Sequence, residues 1–309
     1  MNTGNIKPTL VILAAGLGSR FKSLKQMTGV DECGRSLMDY AIFDAKAAGF
    51  GDVVFIIRED FSEQFKEKVG KRVEKSLPVT YVYQDLSEVP AGCTVPDKRV
   101  KPWGTTHAIW SAREELRGKQ FLTINSDDYY GKDAFEIAVK FFDEHKNDGE
   151  FACIGYNVVK TLESKGTVSR GICKVDEKDM LIHIDERKQI KLEDGRGYYT
   201  TDDGSSFHLI PIEAVASMNL WAFNPGFIND IEKTFPERLR LGIEERPESF
   251  EETLSDAVQN ILDRTDYTVK ILKTDAQWFG MTYSEDLSKV KSSLKKLVAE
   301  GEYPDGEWN

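Results

Sequence analysis

The chain is poor in the residues that would tie a fold to a metal cluster or a covalent framework. Its 309 residues include only four cysteines and four histidines. Cys33, Cys93, Cys153 and Cys173 are widely spaced with no Cys-x-x-Cys pair, so neither a zinc site nor a disulfide framework is indicated. His107, His145, His183 and His208 are equally dispersed, which points to structural or surface roles and away from a histidine metal centre. No early apolar run approaches the roughly 20 residues that span a bilayer, and Met1 to Pro8 is polar without a signal-like core. The expected compartment is cytoplasmic, with no membrane partner. Excess positive charge is missing as well: 41 Lys and Arg against 52 Asp and Glu leave a formal charge of −11. Duplex binding needs a broad basic face, so no nucleic-acid partner is expected, whereas a small anionic ligand needs only a local cationic pocket.

What is present is alternation. A short apolar strand at Thr9 to Ala14 gives way to an amphipathic helix near Ser36 to Ala48. A strand at Asp52 to Ile57, a helix at Phe61 to Val73 and a strand at Val79 to Tyr83 follow, the pattern of a doubly wound α/β sheet. A polar, proline-containing loop then precedes a helix near Thr105 to Leu116 and a strand at Phe121 to Asn125; long irregular loops of this kind are commonly functional. After a helix at Ala134 to His145 the pattern turns to strands at Phe151 to Val158, Gly171 to Val175 and Leu181 to Ile184, with a hairpin connection through Val175 to Met180. Glu193 to Ser206 reads as a mobile polar loop bordering the site, before a strand at Val215 to Phe223. Helices at Phe227 to Phe235 and Phe250 to Arg264, a strand at Thr268 to Leu272 and a helix around Ser284 to Glu300 complete the reading. The tail, 301–309, is expected to be disordered, with Trp308 as a packing or dimer contact.

The densest chemistry lies in Leu13-Ala14-Ala15-Gly16-Leu17-Gly18-Ser19-Arg20-Phe21, followed by Lys25-Gln26. A glycine loop straight after a buried strand turns successive N–H groups toward phosphate oxygens, and Arg20 and Lys25 add charge. A P-loop would need Gly-Lys-Ser/Thr where Ser19-Arg20 stands. A dinucleotide fingerprint would need Gly or Ala at Phe21 and an acid after the second strand, where Arg58 is found.

Leu-Ala-Ala-Gly-x-Gly-x-Arg with a following Lys resembles the signature of the sugar-phosphate nucleotidylyltransferases, the nucleotide-sugar pyrophosphorylases. The short Arg20–Lys25 link is similar to the molybdenum-cofactor cytidylyltransferase branch. The resemblance implies a Rossmann-like, doubly wound mixed sheet of the nucleotide-diphospho-sugar transferase type with a smaller β-rich acceptor-binding part. It implies a single nucleotidyltransferase domain over 1–309, with a nucleotide-binding half at 1–150, an acceptor-binding half at 151–300 and a tail. The substrates it implies are a nucleoside triphosphate and a phosphorylated small molecule, foremost a sugar 1-phosphate. Arg20, Lys25 and Asp127 would be catalytic, with Asp127, in Asn125-Ser126-Asp127-Asp128, ligating Mg²⁺. Leu13, Ala14, Ala15, Gly16, Gly18, Ser19, Gln84, Gly104 and Thr105 would hold the nucleotide. Gly171, Glu186, Arg187 and Asn219 would hold the acceptor.

Three points stay open on the sequence. Asp127 and Asp128 also read as an acidic pair at the N-terminus of the helix that contains Ala134, favourable to its dipole. Gly280, in Trp278-Phe279-Gly280, stands where many relatives of this kind carry a second metal-binding Asp, and Asp128, Asp275 and Asp286 are candidates to replace it. A cytidylyltransferase for phosphocholine or another phosphorylated alcohol would use an aromatic cage, for which Trp103, Trp221 and Trp278 are available. A catalytically silent nucleotide-sugar-binding regulator, a related glycosyltransferase and a homo-oligomer are further alternatives.

Overall fold

The computed structural model describes residues 7–16, 25–162, 166–281, 285–306 and 308, with Lys25 described in its backbone alone. Among the described residues, thirteen strands run in chain order: β1 Thr9–Leu13, β2 Asp52–Ile57, β3 Val79–Tyr83, β4 Phe121–Asn125, β5 Asp128–Tyr129, β6 Glu150–Asn157, β7 Val168–Val175, β8 Leu181–Glu193, β9 Arg196–Tyr199, β10 His208–Leu209, β11 Val215–Phe223, β12 Thr268–Lys273 and β13 Phe279–Gly280. The α-helical elements are α1 Leu37–Ala48, α2 Ser62–Phe65, α3 Lys71–Val73, α4 Thr105–Ser111, α5 Arg113–Leu116, α6 Lys132–Glu144, α7 Gly226–Glu245, α8 Leu254–Arg264 and α9 Asp286–Ala299. None of the described helices is long and apolar enough to cross a membrane.

Eleven strands form one mixed sheet in the order β10-β9-β8-β7-β11-β4-β1-β2-β3, with β6 on the other edge of β11 and β12 beyond it. The strands β3, β2, β1 and β4 are parallel, and β11 joins them antiparallel. Alternation along β1 explains the layering: Leu10 and Ile12 enter a core with α1 and α6, while Val11 faces a second core with α4, α7 and α8. Continuous apolar strands such as β2 are thus buried on both faces, and each fully buried aliphatic side chain contributes about 1.5–3 kcal/mol.

β11 forks the sheet. Val215–Ser217 pair with β7, and Trp221–Phe223 pair with β4, on the same edge. Between them the strand bulges, and Asn219 takes a left-handed φ of 58°. The Thr123 hydroxyl bridges the gap, donating to the Asn219 carbonyl at 2.8 Å and accepting the Trp221 N–H at 3.3 Å.

Several expectations are corrected. The helix expected over Phe61 to Val73 runs from Ser62 to Val73 but contains a π-turn at Lys66–Gly70, where Gly70 packs so closely beneath the Tyr81 hydroxyl that no β-carbon fits. The expected helix over Thr105 to Leu116 divides at Ala112. The helix expected to stop at Phe235 continues past Pro236 to Glu245, because Phe235 and Leu239 keep its buried face. Glu193 to Ser206 is not all loop: Asp194 and Gly195, with φ of 48° and 73°, make a tight turn between β8 and β9. The described residues of the tail are held by aromatic contacts. Tyr303 is buried and donates to Asp44 at 2.7 Å, and the Tyr129 and Tyr303 hydroxyls lie 2.8 Å apart. Trp308 packs on Tyr40 and Phe43, with the Arg35 guanidinium 3.9 Å from its ring.

Candidate active site

β1 to β4 end at one edge of the sheet, and the cleft follows that edge, where ligands bind in open α/β sheets. Three cavities adjoin along it. The first, about 430 Å³, lies beyond β2 and β3 and is lined by Arg58, Gln84, Trp103 and His107 among others. The second, about 320 Å³, is lined by Leu13, Ala15, Gly16, Gln84, Gly104, Thr105 and Asp127. The third, about 270 Å³, lies at the fork in β11, where Asp127, Asp128, Arg170, Gly171, Glu186 and Asn219 meet Trp278. Gln84 is shared by the first two and Asp127 by the last two, so the groove is continuous.

At the entrance of the glycine loop, Ala14 still belongs to the sheet: it is fully buried and donates its N–H to Ile56 at 2.8 Å. Gln26 folds back to brace the loop's start, its amide nitrogen 2.6 Å from the Gly16 carbonyl and 3.3 Å from that of Ala14. Gly18, Ser19, Arg20 and the Lys25 side chain lie outside the described residues.

Gly104 and Thr105 are held from behind. Gly104 has φ 100° and lies against the Glu252 backbone, where a β-carbon would overlap carbonyl and amide atoms. Thr106 N–H donates to Glu252 O at 3.1 Å, Glu252 N–H donates to Trp103 O at 3.0 Å, and Leu254 N–H donates to the Thr105 hydroxyl at 2.9 Å. The Glu252 carboxylate takes both arms of Arg238, at 2.9 and 2.8 Å. Burial nevertheless pushes its carboxyl above the usual range.

The acidic end of the cleft is built by β4 and β5. Asp128 is buried in a β-ladder with Gly280, not exposed at a helix terminus, because α6 begins only at Lys132. Asn125 donates its side-chain amide to Asp128 at 2.8 Å, and Asn219 in turn donates to the Asn125 side-chain oxygen at 3.1 Å. A β-carbon at 280 would lie 2.5 Å from Asp128 Oδ1, so the Asp128 carboxylate occupies the space a side chain at 280 would need. The other acids considered are elsewhere: Asp275 is exposed and paired with Lys160 at 3.1 Å, and Asp286 opens α9. Among the described residues, no group of three or more His, Cys, Asp or Glu is arranged to hold a metal.

Among the residues expected to hold an acceptor, burial and the nearby Asp256 raise the Glu186 carboxyl above its ordinary range. Arg187 does not line the third cavity; neighbours on a strand face opposite sides, and its guanidinium pairs with Asp185 at 2.9 Å over the Tyr199 ring. Arg170 borders the cavity instead, 4.9 Å from the Trp278 ring and bonded to Thr161. Asn125 and Gln26 were not among the expected site residues. Only the pairing of β4 with β1 and the return of the loop bring them there. The three tryptophans form no cage: Trp103 lines the first cavity, Trp278 the third, and Trp221 is in the core.

Comparison with known proteins bears on the family and the fold. A family model described as nucleotidyl transferase matches residues 9–296. A bifunctional protein GlmU from Acetivibrio thermocellus is 32% identical over 114 residues, which is 37% of this chain and 20% of the relative. The chain thus spans about a fifth of the length of that curated relative. The fold is also that of an inositol-1-phosphate CTP transferase from T. maritima, at TM-score 0.61 and 14% identity over 94% of this chain and 96% of the other. It matches a UDP-glucose pyrophosphorylase complexed with UDP-glucose at TM-score 0.59 and 16% identity, over 94% and 99% of the two chains.

Proposed function

Because the chain belongs to the nucleotidyl transferase family, we propose that it transfers a nucleoside monophosphate from a triphosphate to a sugar 1-phosphate or similar phosphorylated acceptor, releasing pyrophosphate. The observation that carries this reading is the continuous groove, in which Asp127 stands between the cavity of Gly16, Gln84 and Gly104 and the cavity of Glu186 and Asn219. One substrate on each side brings two phosphates together at Asp127.

An acceptor phosphate oxygen attacks the α-phosphorus in line; the new P–O bond forms as the α–β bond breaks, and pyrophosphate leaves with the electron pair. No covalent enzyme intermediate is needed. The protein's contribution is positioning and charge stabilisation. Arg20 and Lys25 hold the triphosphate, as the loop signature implies. Gln84, Gly104 and Thr105 seat the base, while Gly171, Glu186 and Asn219 hold the acceptor's hydroxyl groups. Two unit charges 4 Å apart repel by about 4 kcal/mol at an effective dielectric near 20, so cations are required where the phosphates meet. Asp127 and Asp128 are an oxygen donor set that suits Mg²⁺, which uses one or two carboxylates with phosphate oxygens and water, and the ion would offset that repulsion.

A pyrophosphate-release screen that crosses the common triphosphates with phosphorylated sugars and alcohols tests the reading. Release with a sugar 1-phosphate is expected; release with phosphocholine alone would transfer the assignment to a phosphoalcohol, and no release with any pair would overturn it. Asp128→Asn should weaken Mn²⁺ binding in the presence of a nonhydrolysable triphosphate, followed by electron paramagnetic resonance.

A further inference from the structure

The base end of the groove contains a fixed amide. Gln84, the residue after β3, donates its side-chain nitrogen to two acceptors at once: the Gly104 carbonyl at 3.1 Å and His107 Nδ1 at 3.1 Å. The ring's other nitrogen, Nε2, lies 2.7 Å from the Glu88 carbonyl. A carbonyl can only accept, so Nε2 must carry the proton and Nδ1 must offer its lone pair. Turning the Gln84 amide over would set its oxygen against the Gly104 oxygen and, with it, against the His107 lone pair. The orientation is therefore decided by chemistry, since each partner of the nitrogen is an acceptor. The imidazole is buried, stacked on Trp110 with ring centroids 5.9 Å apart and tilted against Phe235 at 6.0 Å. Burial pushes its pKa down to about 4, so the neutral ring persists at physiological pH.

Both amide protons are thus used internally, and none of the described residues donates to Gln84 Oε1. Gln84 lines both the first and second cavities. We infer that His107 is a positioning residue that presents Gln84 to the groove as a pure acceptor, selecting nucleotides whose base carries a ring N–H on its pairing edge, the lactam bases, over amino bases with a ring lone pair there. Uracil and thymine present an imide N–H where cytosine presents a lone pair, and guanine differs from adenine in the same way. An acceptor facing a lone pair leaves both unpaired and repelling, the kind of mismatch on which polar sites discriminate strongly.

The inference rests on the proposed nucleotidyl transfer and deepens it by naming the base class. Calorimetric binding of UTP, CTP, GTP and ATP to the full chain tests it without any acceptor. UTP over CTP, and GTP over ATP where purines bind, should be favoured by at least tenfold. His107→Phe keeps an aromatic ring but no acceptor, and the preference should fall to within about threefold. His107→Asn returns an acceptor near the Nδ1 position and should restore it, although it packs worse. In a Gln84→Ala background the His107→Phe change should move the ratio no further. Equal weakening of all triphosphates by His107→Phe, loss of the ratio in His107→Asn as well, a shift in the ratio without Gln84, or equal binding of UTP and CTP by the unaltered chain would each overturn it. Binding of no triphosphate would overturn the transfer reading and this inference with it, whereas the other outcomes leave the transfer reading intact.

Discussion

On the proposed nucleotide side of the groove, Gln84, Gly104 and Thr105 are fixed through backbone contacts: Glu88, Glu252 and Leu254 hold the His107 ring, the glycine and the hydroxyl in place. On the acceptor side, Gly171, Glu186 and Asn219 come from a forked antiparallel sheet, and Asn219 sits on a bulge held by Thr123 and Asn125. The first side is built against the core, and at Gly104 it leaves no room for a β-carbon; the second is a gap between strand pairings, whose shape depends on a few polar contacts. In the proposed reading the triphosphate meets the stricter geometry and its partner the more adaptable one, a division suited to one donor chemistry with variable acceptors. β5 stands between the two sides and carries Asp128, and the tail braces it through Tyr129 and Tyr303.

The largest effect is expected where the sides meet. Asp127→Asn should lower kcat by on the order of 10²–10³ with either substrate saturating, because it removes charge stabilisation at the reacting phosphates. Pyrophosphate release measures it, and unchanged turnover would remove Asp127 from the chemistry.

Next in size is Gly104→Ala, which should destabilise the fold by about 2–4 kcal/mol through a strained positive φ and overlap with Glu252. A urea titration reads the loss. An unaffected midpoint would show that the nucleotide side is as yielding as the acceptor side.

Glu186→Gln should raise the acceptor KM about tenfold, a charge-assisted contact of ~1.4 kcal/mol, and leave the triphosphate KM within twofold. Equal rises in both constants would dissolve the division between the sides.

The smallest effect concerns the brace. Burial pushes the Asp44 carboxyl up to about 7 from an ordinary 3.8, so the folded chain holds a proton the unfolded chain has lost between those values. Stability therefore falls as pH rises from about 4 to 7. Asp44→Asn cannot ionise and should gain on the unaltered chain by about 1 kcal/mol between pH 6 and pH 7, read from thermal melts at both. A constant difference across that range would mean that Asp44 titrates normally.

Much of this was legible in the sequence, for physical reasons that differ by region. The strands β1, β2, β3 and β4 and the helix α1 are read within a residue or two, because the doubly buried β1, β2 and β4 are largely apolar runs, β3 is rich in β-branched and aromatic residues, and Ser36 and Gly49 mark the ends of α1. The hairpin at Asp194-Gly195 carried a turn signal that polarity obscured. Glu186 and Arg187 are adjacent in sequence, yet alternation sends only one to the cavity.

The sequence by itself determined the order of strands and helices, the glycine loop after β1 and the residue types available at each strand end, because these depend on local period and backbone freedom. Tertiary structure alone decided that Asp128 fills the space at Gly280, that His107 and Gly104 turn the Gln84 amide, and that Tyr303 and Trp308 bind the tail back onto α1. Those outcomes join residues from 20 positions apart (Gln84 and Gly104) to 268 apart (Tyr40 and Trp308) by contacts of a few ångströms, and no local pattern encodes such contacts.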